Sequence, residues 1–272
     1  MIAGIPGAEG ITYEAATLAG VQGHWCRPPA APADRAILYL HGSAFVLGSA
    51  AAYRNFAGQF AARTGTAVFV ADYGLAPERP FPHGVQDARA VWQAMQQAGY
   101  QRIAIVGDSA GGGLSLSLLE RVSAEAGNGR RIAAVACADL SPWTDLALTG
   151  ESHSSRAQED LFITPQMLKS CVGLSLGQTD PLTPAALPAY GNPANLPPIQ
   201  IHVGTAKVLL DDNRRFAARV PQAGGVGTAH VWQDMPHVFS IKLCLTEGRR
   251  RGDGADISLL APPPDRLNRA DP

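Results

Sequence analysis

Cysteine is scarce in this chain, and neither sign of charge is in surplus. The 272 residues include four cysteines, Cys26, Cys137, Cys171 and Cys244, with no C-x-x-C pair among them. That spacing excludes a zinc knuckle and offers no disulfide framework, so buried free thiols are expected. Lysine plus arginine number 22 against 23 acidic residues, for a formal net charge of −1. No basic excess is left to neutralise phosphates, and neither nucleic acid nor an acidic membrane surface is an expected partner. There is no apolar run of the roughly 18 residues a spanning helix needs and no basic segment leading into an apolar stretch at the start. No membrane span is expected, and a cytoplasmic location follows. Without H-E-x-x-H or a clustered ligand set, neither a metal nor another cofactor is expected.

What is present is the composition of a folding globule, 46% hydrophobic and 17% charged, over a length that one α/β domain can fill. Short β-rich apolar runs at 11–18, 21–27, 37–40, 67–73, 103–106, 133–140, 199–203 and 229–232 alternate with helix-like stretches. This rhythm predicts an α/β fold with a mostly parallel central sheet covered by helices on both faces. The first two runs are joined at Ala19-Gly20 and read as a hairpin. Val85, Ala88, Trp92 and Met95 recur at the three-to-four spacing of one helix face. Thr164-Pro165 reads as an N-cap followed by proline at the first helical position. Further helices are expected from about Tyr53, over 110–125 and around 213–220. Residues 1–247 are read as one domain. The stretch 248–272, with Arg249-Arg250-Arg251 and Pro262-Pro263-Pro264, lacks a periodic apolar face and is expected to be a loosely ordered tail.

The chemistry centres on Gly107-Asp108-Ser109-Ala110-Gly111, a G-x-S-x-G placed between a short strand and a helix. A sharp turn there would expose the Ser109 hydroxyl, and the helix start would offer amide hydrogens, beginning with that of Ala110, to a tetrahedral oxyanion. His41-Gly42-Ser43-Ala44-Phe45 follows an upstream strand, where the other half of an oxyanion hole belongs. His237 sits in a loop after the last strand, the final place in the chain order Ser, acid, His. The remaining histidines, His24, His83, His153, His202 and His230, have no such setting and are read as structural.

On these blocks, together with Asp72-Tyr73-Gly74-Leu75-Ala76-Pro77-Glu78, Leu140-Ser141-Pro142-Trp143-Thr144-Asp145 and Asp234-Met235-Pro236-His237-Val238-Phe239, the chain resembles the hormone-sensitive-lipase family of esterases. The resemblance runs from about Gly10 to Phe239. It implies the α/β-hydrolase fold, with an N-terminal cap that is reduced here, and hydrolysis of short- to medium-chain acyl esters. By position it implies Ser109 as nucleophile and His237 as general base. Gly42, Ser43, Ala44 and Ala110 form the oxyanion loop, Gly42 permitting the turn and the other three supplying amides, while His41 shapes the loop. Small esters are the expected partners, and a homodimer is left open.

Three positions depart from the family pattern. Ser43 replaces a glycine and Gly74 stands where arginine is usual. Lys207 occupies the slot of the catalytic acid, and a lysine cannot do what a carboxylate does there. Asp211 and Asp212 are the substitutes at hand, and Asp211 is taken as the acid, although aspartates at a helix start also serve as caps. The second reading is a hydrolase-fold protein that binds ester-like ligands with impaired turnover. Amide hydrolysis or deacetylation would use the same residues.

Overall fold

The computed structural model describes residues 2–127, 134–183, 186 and 188–239; the expected tail lies outside them. Eight strands form one sheet in the order β1-β2-β4-β3-β5-β6-β7-β8. They are β1 (Thr12–Leu18), β2 (Val21–Arg27), β3 (Arg35–Leu40), β4 (Ala67–Ala71), β5 (Arg102–Asp108), β6 (Ala136–Leu140), β7 (Ile199–Gly204) and β8 (Gly227–Trp232). All eight expected strands are present, with ends shifted by a few residues. The β1–β2 hairpin and the β2–β4 pair are antiparallel, and every other pairing is parallel. Ala19 at φ 49° and Gly20 at φ 82° make the tight turn of that hairpin, a sense of turn that matches strand twist.

The helices are α1 (Ala50–Thr64), α2 (His83–Gln97), α3 (Ala110–Gly127), α4 (Ser152–Ser155), α5 (Pro165–Leu176) and α6 (Leu210–Gln222). Capping sets two of the starts. Ser49 Oγ accepts the Ala52 amide at 3.2 Å, and Thr164 Oγ1 accepts that of Met167 at 3.1 Å, each satisfying an amide that the first helical turn leaves free. Parallel strands are covered on both faces and so read as unbroken apolar runs. In β3, Ile37 and Tyr39 pack with α1 residues Tyr53, Phe56 and Phe60. Leu38 and Leu40 face the other way, into a core shared with α2, α3 and α6.

Two features position the site. The connection between β6 and β7, residues 141–198, lays α5 over the carboxyl end of the sheet, where Leu168, Cys171 and Leu176 pack with Trp143, Leu146 and Ala110. The N-terminal residues dock on α1: Asn55 Nδ2 donates to the Ile5 carbonyl at 2.8 Å, and Ile5 is buried. Cys26, Cys137 and Cys171 are buried free thiols; Cys244 lies outside the described residues. Among those residues no helix is long and apolar enough to cross a membrane.

Candidate active site

Ser109 occupies the single residue between the end of β5 and the start of α3. Its φ is +52°, a left-handed conformation that costs a non-glycine residue on the order of 1–3 kcal/mol. The turn is held from outside. The Ser109 amide donates to the Leu140 carbonyl at 2.9 Å, and its own carbonyl accepts from Trp143 at 2.8 Å and Gly113 at 3.1 Å. The flanking glycines answer to contact: a Cβ on Gly107 would strike the Gly111 carbonyl, and one on Gly111 would strike the carbonyl oxygens of Leu40 and His41. Because backbone cannot step aside as a flexible side chain can, Gly111→Ala should lower stability by about 3 kcal/mol. A urea titration followed by circular dichroism measures it, and an unchanged midpoint would contradict the packing described.

The loop that begins at Gly42 is fastened to this elbow by Asp108, the residue before Ser109. Its buried carboxylate accepts the Gly42 amide at 2.9 Å and the Tyr39 hydroxyl at 2.8 Å, with the Tyr53 hydroxyl at 3.4 Å. Burial raises the Asp108 pKa to about 7 against these three hydrogen bonds. The Gly42 amide is therefore occupied, and a Cβ there would collide with the carboxylate. Ser43, Ala44 and Phe45 follow at φ 82°, 59° and 64°, three consecutive left-handed residues without a glycine. Among the described residues, the amides of Ser43, Ala44 and Ala110 have no acceptor. His41 is buried beneath this loop, stacked on Tyr73 with ring centroids 4.6 Å apart and its Nδ1 2.9 Å from the Gly42 carbonyl.

At the Gly74 position the space is already taken. Arg79 pairs with Asp87 at 2.8 Å, Asp87 also accepts the Gly74 amide at 2.8 Å, and a Cβ on Gly74 would come within 3.1 Å of both side chains. Beside them opens a largely apolar pocket lined by Phe45, Phe81, Leu114, Leu146, Leu176 and Ala186. Phe45 belongs to the loop of residues 42–45, and Leu114 lies in the first turns of the helix that Ser109 precedes.

His237 lies just beyond β8, in a loop tied to the end of β7. The Thr205 amide donates to the Trp232 carbonyl at 2.9 Å, the Asp234 amide donates to Thr205 Oγ1 at 2.8 Å, and Gly204 is so close to Met235 that a Cβ would not fit. Ser109 and His237 thus follow strands of the same parallel run, and backbone bonds link Ser109 to β6 and Ser141 to His202 of β7. Among the described residues the Ser109 hydroxyl makes no hydrogen bond.

The expectation for the acid is corrected. Asp211 Oδ2 accepts the Ser152 amide at 2.8 Å while the Asp211 amide donates to Ser152 Oγ at 3.0 Å, a reciprocal tie between α6 and α4. Asp212 is equally committed, accepting from the Asp145 amide at 3.1 Å and lying 3.0 Å from His153 Nε2. The atom against His237 Nδ1 is Lys207 Nζ, at 2.7 Å. Lys207 is fully buried. Burial lowers its pKa from 10.5 to about 7, opposed by the charges of Asp160 and Asp212. Dense surroundings first, and then the lysine charge, hold His237 well below its ordinary 6.5.

The lysine also links stability to pH. Because its pKa is lower in the folded than in the unfolded chain, the unfolded state takes up the proton first as pH falls from 10.5 towards 7. Stability is lost through that window and the penalty stays constant below it, at roughly 5 kcal/mol by the value of ~1.4 kcal/mol per pH unit. Lys207→Met should therefore melt higher than the parent protein at pH 7, with the gap closing towards pH 10. Thermal melts across that range check the sign; a gap that widens with pH would refute it.

Comparison with known proteins agrees with this architecture. A family model described as "alpha/beta hydrolase fold" matches residues 37–241. An acetyl-hydrolase of Streptomyces hygroscopicus is 36% identical over 250 residues, 91% of this chain and 80% of that protein. An esterase of Acinetobacter venetianus is 34% identical, covering 76% of this chain and 67% of its own. A crystal structure of an esterase from the bacterial hormone-sensitive lipase family superposes with a TM-score of 0.84 at 37% identity, covering 91% of this chain and 83% of that one. The chain belongs to the α/β-hydrolase fold and, within it, to the hormone-sensitive-lipase family of esterases.

Proposed function

We infer that this protein hydrolyses carboxylic esters of short to medium acyl length, with Ser109 as nucleophile and His237 as base. One observation carries the assignment of Ser109: it is held at φ +52° on the turn between β5 and α3, at the edge where the unengaged amides of Ser43, Ala44 and Ala110 lie. In this mechanism the Ser109 oxygen bonds to the ester carbonyl carbon and its proton passes to His237, while those amides stabilise the negative oxygen. The alkoxide leaves with the proton from His237, and water then repeats the sequence to release the acid. The apolar pocket beside Phe45 and Leu114 suits a small acyl or alcohol group.

An inert binding scaffold is the weaker reading. A strained elbow is costly to maintain and serves attack on a carbonyl, whereas ligand capture has no use for it. The acetyl-hydrolase and esterase named above also support hydrolysis. Incubation with a fluorophosphonate at pH 9 followed by peptide mass mapping should find one adduct, on Ser109. Labelling at another serine, or undiminished labelling of His237→Ala, would remove the assignment.

A further inference from the structure

Lysine at the acid position presents a problem of proton placement that the geometry makes specific. An ammonium group has three donors and no acceptor. With Nζ 2.7 Å from His237 Nδ1, a charged Lys207 must donate, which puts the ring proton on Nε2. That is the wrong tautomer for a base: the nitrogen needed by the serine proton is already occupied. An uncharged amine has one lone pair and can reverse the bond, accepting Nδ1–H and freeing Nε2.

We propose that Lys207, in its uncharged form, replaces the missing carboxylate by accepting Nδ1–H of His237, so that deprotonation of this buried lysine switches the esterase on. The proposal rests on the reading of Ser109 and His237 given above. In the attacking step the Ser109 O–H bond breaks and an Nε2–H bond forms. The Nδ1–H bond breaks in turn and its proton completes an ammonium at Nζ. The imidazole ends neutral and the positive charge rests on Lys207. When the alkoxide leaves it takes the Nε2 proton, and Nζ returns its proton to Nδ1.

The surroundings suit a charge that comes and goes. Asp160, from the segment before α5, and Asp212, on α6, are the anionic groups acting on Lys207, and His237 faces it from the loop after β8. Both aspartates are anchored elsewhere: Asp160 accepts the Phe162, Ile163 and Val208 amides, and Asp212 pairs with His153 of α4. They favour the ammonium electrostatically without reaching the imidazole. Two like charges side by side on Lys207 and His237 would repel, which is why a proton gained by one must leave the other. Burial also raises Asp108 to about 7 and Asp139 to about 8, but the hydrogen bonds of Asp108 run to Tyr39, Gly42 and Tyr53 and those of Asp139 to Ser115 and Cys137, not to the lysine.

The test is kcat/KM for a chromogenic short-chain ester from pH 5.5 to 10, for the wild type, Lys207→Arg and Lys207→Met, with ¹⁵N chemical shifts of the His237 ring in the wild type. The wild-type rate should rise roughly tenfold per pH unit and level off above about pH 8. Lys207→Arg, which stays charged, should remain at the low-pH residual, at least ~100-fold below the wild-type plateau. Lys207→Met should cross the wild-type curve, faster at pH 5.5 because no donor fixes the tautomer, slower at pH 9 because no acceptor supports it. The ring proton should move from Nε2 to Nδ1 over the same interval, a readout that needs no variant to fold. A wild-type inflection that survives in Lys207→Arg or Lys207→Met, or a tautomer unchanged from pH 6 to 9, would overturn the proposal. Equal rates for Ser109→Ala and wild type across the range would instead overturn the esterase reading beneath it.

Discussion

Lys207→Glu should raise kcat at pH 6 by roughly 10³-fold. The third member of a serine triad contributes about 10⁴, chiefly by fixing the imidazole tautomer and supporting the imidazolium, equivalent to about 5 kcal/mol of barrier. A glutamate whose oxygen reached the place of Nζ, 2.7 Å from Nδ1, would restore that bond. The full factor is not expected, because Asp160 and Asp212, which now favour the lysine, would face a third carboxylate and raise its pKa. The gain should shrink above pH 8, where the uncharged lysine does part of the same work. A stopped-flow or steady-state comparison at pH 6 and 9 decides it: a loss of activity at pH 6 would mean that Lys207 is needed in its charged form.

The effect of Ser109→Ala should depend strongly on what stands at position 207. Residues that act as one unit are not additive, and removing the nucleophile from an intact serine hydrolase costs about 10⁶ in kcat. In the wild type at pH 6 much of that factor has been lost already, so Ser109→Ala should cost only ~10². In the Lys207→Glu background the same substitution should cost ~10⁵. The double-mutant cycle measured with one ester at one pH provides the test. Equal factors in the two backgrounds would mean that position 207 does not act through the serine.

Much of this arrangement was readable from residue order alone. Eight strands, the Thr164 cap and the helix face of Val85, Ala88, Trp92 and Met95 follow from periodicity and capping, which are local properties. The motif glycines were equally legible, since close approach of backbone to backbone leaves no alternative residue. The short helix α4 is not legible in the sequence because four residues carry no periodic signal. The fate of Asp211 was invisible for a different reason: its partner Ser152 is 59 residues away, in a connection whose path no pattern reveals. The same separation hid the pairing of His153 with Asp212. Lys207 is legible in the sequence as the wrong residue for its slot, but which nitrogen it touches is a matter of three dimensions.

The grip of Asp108 on the Gly42 amide has a consequence for how such a protein can change over generations. The Ser109 oxygen and the loop of residues 42–45 are spaced by one peptide unit and one side chain, and the long β6–β7 connection adds to that turn the Trp143 amide at its very start, while its later part forms the roof. New roofs can be fitted, and with them new appetites for bulkier or longer esters, while the reactive spacing underneath is inherited intact.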